Sequence, residues 1–390
     1  MRTKLQILLV IIFFSTPMLS QEEGKYTDKL IMVNRNRKAG FINIKGETVI
    51  ELKFEKLKVF AEGLAAAKID KKWGYINKKG IFVIKPQFIE VRNFNNGLAA
   101  VKINDEWGFI NKEGNFVIKP KFIRAYSFHD SLARVMENDP KRYLEGYIDR
   151  KGKWVIPPKL YGTNDFNDNL AFVKTDLGGK WGVINTKGKL IINSKFDYPS
   201  SFNDKIAIVR VNGKWGAIDT TGTFIVKPKF NYLSEFKDGI AVASINKKYG
   251  FINKKGKFII DPIFDNAIQF NEGLARITFR ASNTPKSAYT DEETVLYMEE
   301  ETEGVERLPK SGYIDKTGKI IIKPIYGLAG NFSEGLAAVT IHGAWGYINK
   351  KGKIIIKSQF YFASNFINGR ASVKINGEWR VINKQGKYIF

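Results

Sequence analysis

The sequence contains no cysteine, which removes disulfides, thiolate zinc sites, a cysteine nucleophile and a lipid-bearing cysteine together. Histidine is almost missing too: His129 and His342 are the only two in 390 residues, and they fall at different places in the chain's pattern. A histidine metal site or a Ser-His-Asp relay is therefore poorly supplied. No phosphate-cradling loop, dinucleotide fingerprint or nucleophile elbow is present. Acids such as Glu62, Asp219 and Asp238 mostly occupy turns, and nothing singles out the paired carboxylates that a glycosidase needs. The expectation is a non-enzymatic protein without cofactor or metal.

Long apolar runs are equally scarce. The main one, Ile7 to Phe14, follows Arg2 and Lys4 and precedes the small and turn-forming residues 15–20. It is about half the length of a membrane-spanning helix, and the arrangement predicts a secretory signal over residues 1–20. Export to the periplasm, cell surface or exterior follows, with no membrane span in the mature chain. The formal charge is +24, and losing Arg2 and Lys4 leaves 24 − 2 = +22. Such a field favours anionic glycans, envelope components or acidic proteins; in an exported chain nucleic acid is not expected.

What the chain does have is a repeat. Glycines recur at Gly40, Gly74, Gly108, Gly146, Gly182, Gly216, Gly250, Gly312 and Gly346, with Arg380 in the tenth place. An aromatic follows each glycine by a constant 20 positions, from Phe60 and Phe94 to Phe366. Ten units of about 34 residues result, and such periodicity decides the fold class before any local reading. Each unit reads as a three-stranded β-meander, in the second unit over residues 64–69, 73–77 and 81–85. The last two strands are joined by Asn77-Lys78-Lys79-Gly80, and every unit keeps Asn or Asp first and Gly last. That is an Asx-type turn closed by a left-handed residue.

The middle strand is apolar on both faces, as in Tyr75-Ile76 and Tyr347-Ile348. A sheet with one wet face would alternate, so both faces must be covered by neighbouring units. The predicted fold is an all-β tandem array, an open superhelical stack, with a closed propeller-like ring as the alternative. Ten three-stranded units without a split unit fit the ring poorly.

At Trp73-Gly74, Lys85-Pro86 and Phe94-Asn95-Asn96-Gly97-Leu98-Ala99 the chain resembles the WG-repeat family, over residues 26–390. The resemblance implies a β-repeat array, often exported from bacteria, with no established common activity. Ala39, Glu145, Tyr249 and Ser311 replace the tryptophan, and Arg380 replaces the glycine. A function needing all ten tryptophans is thereby put in doubt, and packing against close backbone is the expected role of those present.

Two candidate binding features remain. The turn lysines Lys78, Lys79, Lys112, Lys151, Lys187, Lys254, Lys255, Lys350 and Lys351 would form a cationic ladder for an anionic polymer, or else only solubilise and protect strand edges. The period also stretches between Gly108 and Gly146, Gly146 and Gly182, and Gly250 and Gly312. All three insertions fall in the hairpin joining the first and second strands, a place open to variation and binding. One carries Lys141, Arg142 and Tyr143; the largest, at about 281–310, is acidic and includes Glu299, Glu300 and Glu301. The functional expectation is a binding module for an anionic or surface ligand. A scaffold for other exported proteins is the second reading, and a hydrolase the third.

Overall fold

The computed structural model describes residues 30–389 except 36, 44–46, 138–142 and 281–308. The signal expected at 1–20 lies outside these residues, as do Lys141, Arg142, Glu299, Glu300 and Glu301. Among the described residues every regular element is a β-strand.

The first nine units fold as the meander expected, the tenth has an isolated bridge in place of its third strand, and most units carry one addition. In the second unit Ala65–Ile69, Lys72–Ile76 and Phe82–Phe88 form the meander, and a two-residue strand, Lys56–Leu57, pairs with the first of them. The sheet order is that of the chain. Two residues carry no legible periodicity, so this fourth strand left no trace in the sequence. In the third and fourth units the long strand Phe116–Ala125 runs on into the next short strand, merging two units into one seven-stranded sheet.

The local chemistry explains the pattern. Asn77 Oδ1 accepts from the amides of Lys79 at 2.9 Å and Ile81 at 3.2 Å, and Gly80 takes a φ of 76°. The marker glycine lies where the third strand crosses the middle one in an irregular register. A Cβ on Gly74 would stand 2.4 Å from the Ile84 carbonyl oxygen. No side chain fits there, whatever residue precedes the glycine.

Packing occurs between units. Tyr75 and Ile76 point to opposite faces, and both are fully buried. Tyr75 joins a cluster with Ile84 and Phe88 of its own unit and Phe94, Val101 and Ile110 of the next. Ten units in an open row make nine such interfaces and leave two bare ends. There are ten clusters. The tenth sets Val381 and Ile389 of the last unit against Ile31, Val33 and Ile42 of the first. In the repeat frame Val33 and Ile42 correspond to Ala67 and Ile76, which dock on the first unit in the same way. The array therefore returns on itself. The tandem stacking is as expected, but its ends meet as a ring rather than standing open, because an open end would leave Val33 and Ile42 bare to water. The ring shuts through side chains; the described strands form no hydrogen-bonded barrel.

The buried tyrosines satisfy their hydroxyls across the same interfaces. Tyr75, Tyr147, Tyr313 and Tyr347 donate to the carbonyls of Arg92, Asn164, Gly330 and Ser364 at 2.6 to 2.7 Å. Burial pushes all four phenols well above their ordinary pKa. The sign follows: a raised folded pKa gives stability complete below the free phenol's value near 10 and lost as pH climbs toward the raised one. Urea unfolding at pH 8 and pH 11 should show a steep alkaline loss. Tyr347→Phe should be weaker by about 1 kcal/mol at pH 8 yet lose less on going to pH 11.

Candidate functional site

The meander has two ends. One carries the Asx turns together with a tight turn before the first strand of units two to ten; the other carries the hairpins where the insertions fall. In the tight turn Ala61 and Leu64 exchange both backbone hydrogen bonds, and Glu62 and Gly63 take positive φ of 49° and 90°. Such a turn holds the side chain of its second residue outward.

That side chain links successive units. Glu62 accepts from the Gly97 amide of the next unit at 3.0 Å and from Lys112 Nζ of that same unit at 3.2 Å. Glu272 repeats the arrangement with Gly335 at 3.0 Å and Lys350 at 3.1 Å, as does Glu334 with Gly369 and Lys384. Partial burial opposes ionisation of Glu272, yet Lys350 and the two amides hold its pKa below the ordinary carboxylate value. Lys112 and Lys350 of the anticipated ladder are thus matched by acids of the same chain. Lys79, Lys151, Lys187, Lys255 and Lys351 stand exposed one place further on. Lys78 and Lys254 occupy the same turn position as Lys112 and Lys350. Partly exposed pairs of this kind contribute about 0–1 kcal/mol each. Tyr143, beside the smaller insertion, is 71% exposed at the opposite end.

The tryptophans behave as packing residues. Trp73, Trp107, Trp181, Trp215 and Trp345 all lie against inter-unit clusters. Trp379, in the last unit, is 52% exposed. Where Glu145 replaces tryptophan the carboxylate is buried and accepts a hydrogen bond from Thr163 Oγ1 at 2.5 Å. His129 Nε2 lies 3.8 Å from Asp165, and no cluster of metal-ligating side chains occurs among the described residues.

A different cationic feature runs along the short-strand edges of units two to four. Lys58 Nζ donates to the Val91 carbonyl of the next unit at 2.7 Å and stands 5.6 Å from the Trp73 ring centroid. One unit on, Arg92 Nε donates to the Ala125 carbonyl at 2.7 Å, with its guanidinium 5.3 Å from Trp107 and 4.6 Å from Tyr126. The Arg134 guanidinium lies 3.5 Å from the same Tyr126 ring and donates to the Thr163 carbonyl at 2.8 Å and to Asp165 at 2.7 Å. Of the three, only Arg134 has a carboxylate in contact among the described residues.

Burial lowers the pKa of Lys58, and the Arg92 charge lowers it further against a small opposing effect of Glu90. Burial likewise lowers that of Arg92; Arg134 adds to the shift, while Tyr126, Asp165 and Glu90 oppose it. These cations crowd one another on half-buried aromatic surface, an arrangement that an anion would relieve. Sequence reasoning passed over all three. For Lys58 and Arg92 the available signal was position 18 after the marker glycine, where Lys58, Arg92, Tyr126, Asn164 and Ser200 vary.

Units of paired strands, packed face to face and closed through their ends, define a tandem β-repeat protein of ring form. Residues 40–73, 73–107, 107–139, 146–181, 181–215, 215–249, 249–279, 312–343 and 345–379 each match the model of the WG containing repeat. The chain belongs to that family. No curated protein matches it. Among solved structures it is similar to a eukaryotic initiation factor at 10% identity, over 85% of this chain and 96% of that one, with a TM-score of 0.48. Hsv2p of Kluyveromyces lactis is similar at 11% identity, over 64% and 89%, with a TM-score of 0.33. A streptogramin B lyase is similar at 16% identity, over 58% and 93%, with a TM-score of 0.30. None of the three bears on what this ring binds.

Proposed function

We propose that the protein is an exported, non-enzymatic binding module for an anionic ligand, seated on the arc of Lys58, Arg92 and Arg134. The observation that carries this reading is the pair Lys58 and Arg92, half-buried on aromatic rings in adjacent units with no carboxylate in contact among the described residues. A guanidinium with one edge held by a backbone carbonyl keeps its remaining donors in a fixed plane, suited to sulfate, phosphate or carboxylate oxygens. Spacing along neighbouring units suits a polymer, because each further contact adds to the avidity of the first. The net charge of the exported chain, 24 − 2 = +22 without Arg2 and Lys4, draws such a ligand in from a distance.

The test is binding of dextran sulfate, with neutral dextran as control. Arg92→Gln should weaken retention at least tenfold, and 0.5 M salt should weaken it further by screening. Lys112→Gln should leave retention nearly unchanged, since Glu62 already matches that charge. Equal loss from Arg92→Gln and Lys112→Gln would mean that net charge, not the arc, does the binding. Export is tested separately: the mature chain isolated from its native source should begin beyond residue 20, and an uncut Met1 would refute it.

A further inference from the structure

At the turn end, between the sixth and seventh units, a cavity of about 240 Å³ opens. The repeat explains why. At seven of the ten interfaces an aromatic just after the marker glycine packs on the aromatic 20 positions beyond it, as do Phe41 on Phe60, Tyr75 on Phe94 and Tyr347 on Phe366 with ring centroids 4.8 to 5.0 Å apart, while the tenth interface carries Val381. In the fifth unit Val183 breaks the rule, but Phe172 beside it stacks on Phe202 at 5.2 Å and fills the gap. In the sixth unit the place belongs to Ala217, fully buried, and its cross-strand neighbour is Ile208. No ring is supplied. Phe236 is only partly buried, as is Phe60, whereas Phe94, Phe128, Phe166 and Phe202 are at most 3% exposed. The leucine that starts most first strands is here Ile206, which is branched at Cβ and only partly buried.

The acids also change their behaviour here. By analogy with Glu62, Asp204 should cap the Gly239 amide and meet Lys254. All three residues line the cavity, yet none of these contacts forms. Glu235 and Asp238 complete the lining, with Asn203 hydrogen-bonded to Glu235 at 3.4 Å. Asp238 is 3.8 Å from Lys316. The floor is therefore Ile208, Ile206 and one side of Phe236, and the rim carries three carboxylates against Lys254.

We infer that this cavity is a second binding site, taking an aromatic side chain flanked by basic residues on a partner polypeptide. Size and shape point to the ring, since about 240 Å³ of space over Ile206, Ile208 and Phe236 gives a flat apolar group its seat. Charge complementarity points to the flanks, because a ring seated on Phe236 brings its neighbouring residues against Asp204, Glu235 and Asp238. The site is opposite in sign to the arc, stands on other units, and does not depend on the reading given for it.

The experiment titrates the full chain with acetyl-Lys-Phe-Lys-amide at low ionic strength, alongside the Lys-Ala-Lys and Glu-Phe-Glu peptides, by calorimetry. Lys-Phe-Lys should bind saturably at one site, and each control at least tenfold more weakly. Ala217→Phe, which restores the ring found at the sister interfaces, should abolish binding with no loss of melting temperature. If that variant fails to fold, Asp204→Asn with Asp238→Asn should still cut affinity tenfold. Dextran sulfate retention should be unchanged in every variant. Equal binding of Glu-Phe-Glu, equal binding of Lys-Ala-Lys, or full binding by Ala217→Phe each overturns the inference.

Discussion

Gly250→Ala is expected to unfold at a markedly lower urea concentration than the parent chain, with a loss of about 1–3 kcal/mol or more from overpacking alone. The added methyl would lie 2.5 Å from the Ile260 carbonyl oxygen and 2.8 Å from Pro262 N. Both belong to backbone, so no rotamer change relieves the clash, and the third strand must lift off the middle one. Gly250 is informative because Tyr249 stands before it in place of tryptophan. Glycine also persists beside Glu145 and Ser311, so the glycine of the pair is the geometric requirement and the tryptophan a filler. Arg380→Ala is the control. Among the described residues the last unit's third strand is represented by the bridge between Ile382 and Tyr388 and by the Ile389 amide donating to the Val381 carbonyl, and little backbone crosses the marker position. That variant should unfold within about 0.5 kcal/mol of the parent. If Gly250→Ala matches it, the close crossing is not what keeps the glycine.

The same contrast separates what the sequence disclosed from what it hid. The period, the Asx turns and the two-faced apolar strands were legible because each rests on local chemistry repeated ten times: Asn77 bonding its own turn, Tyr75 and Ile76 facing opposite ways. Placement of the insertions was legible for the same reason, and the spans around 138–142 and 281–308 do fall between first and middle strands. The short strands were not, since two residues such as Glu90–Val91 have no period.

The candidate sites were hidden for a different reason. Lys112 looked like part of a cationic ladder because its partner Glu62 lies 50 positions away and belongs to another unit. Arg92 and Ala217 drew no notice because they matter as departures from the repeat, and their consequences appear only when units are stacked. Ala217 in particular is an ordinary core residue by itself. It stands out only beside Tyr75 and its counterparts, whose rings pack seven of the ten interfaces.

Closure of the ring could not be read locally either, and it sets up the second large effect. Val381 is 6% exposed, against Val33 and Ile42. Val381→Asp places a carboxylate on that surface with no partner to neutralise it, which should cost about 3 kcal/mol or more and fall wholly on the tenth interface. In an open stack the same change would lie on an end face and cost almost nothing. Lacking native cysteine, the chain can take spin labels at Lys38→Cys and Glu378→Cys as its only thiols. Closed ends predict a short, narrow distance distribution in the parent and a long, broad one in Val381→Asp. The other nine interfaces should keep their packing, so far-ultraviolet circular dichroism should hardly change while the hydrodynamic radius grows. A broad distance distribution in the parent chain would show that the ends do not meet, because each repeat array gains one further interface only by joining its first unit to its last.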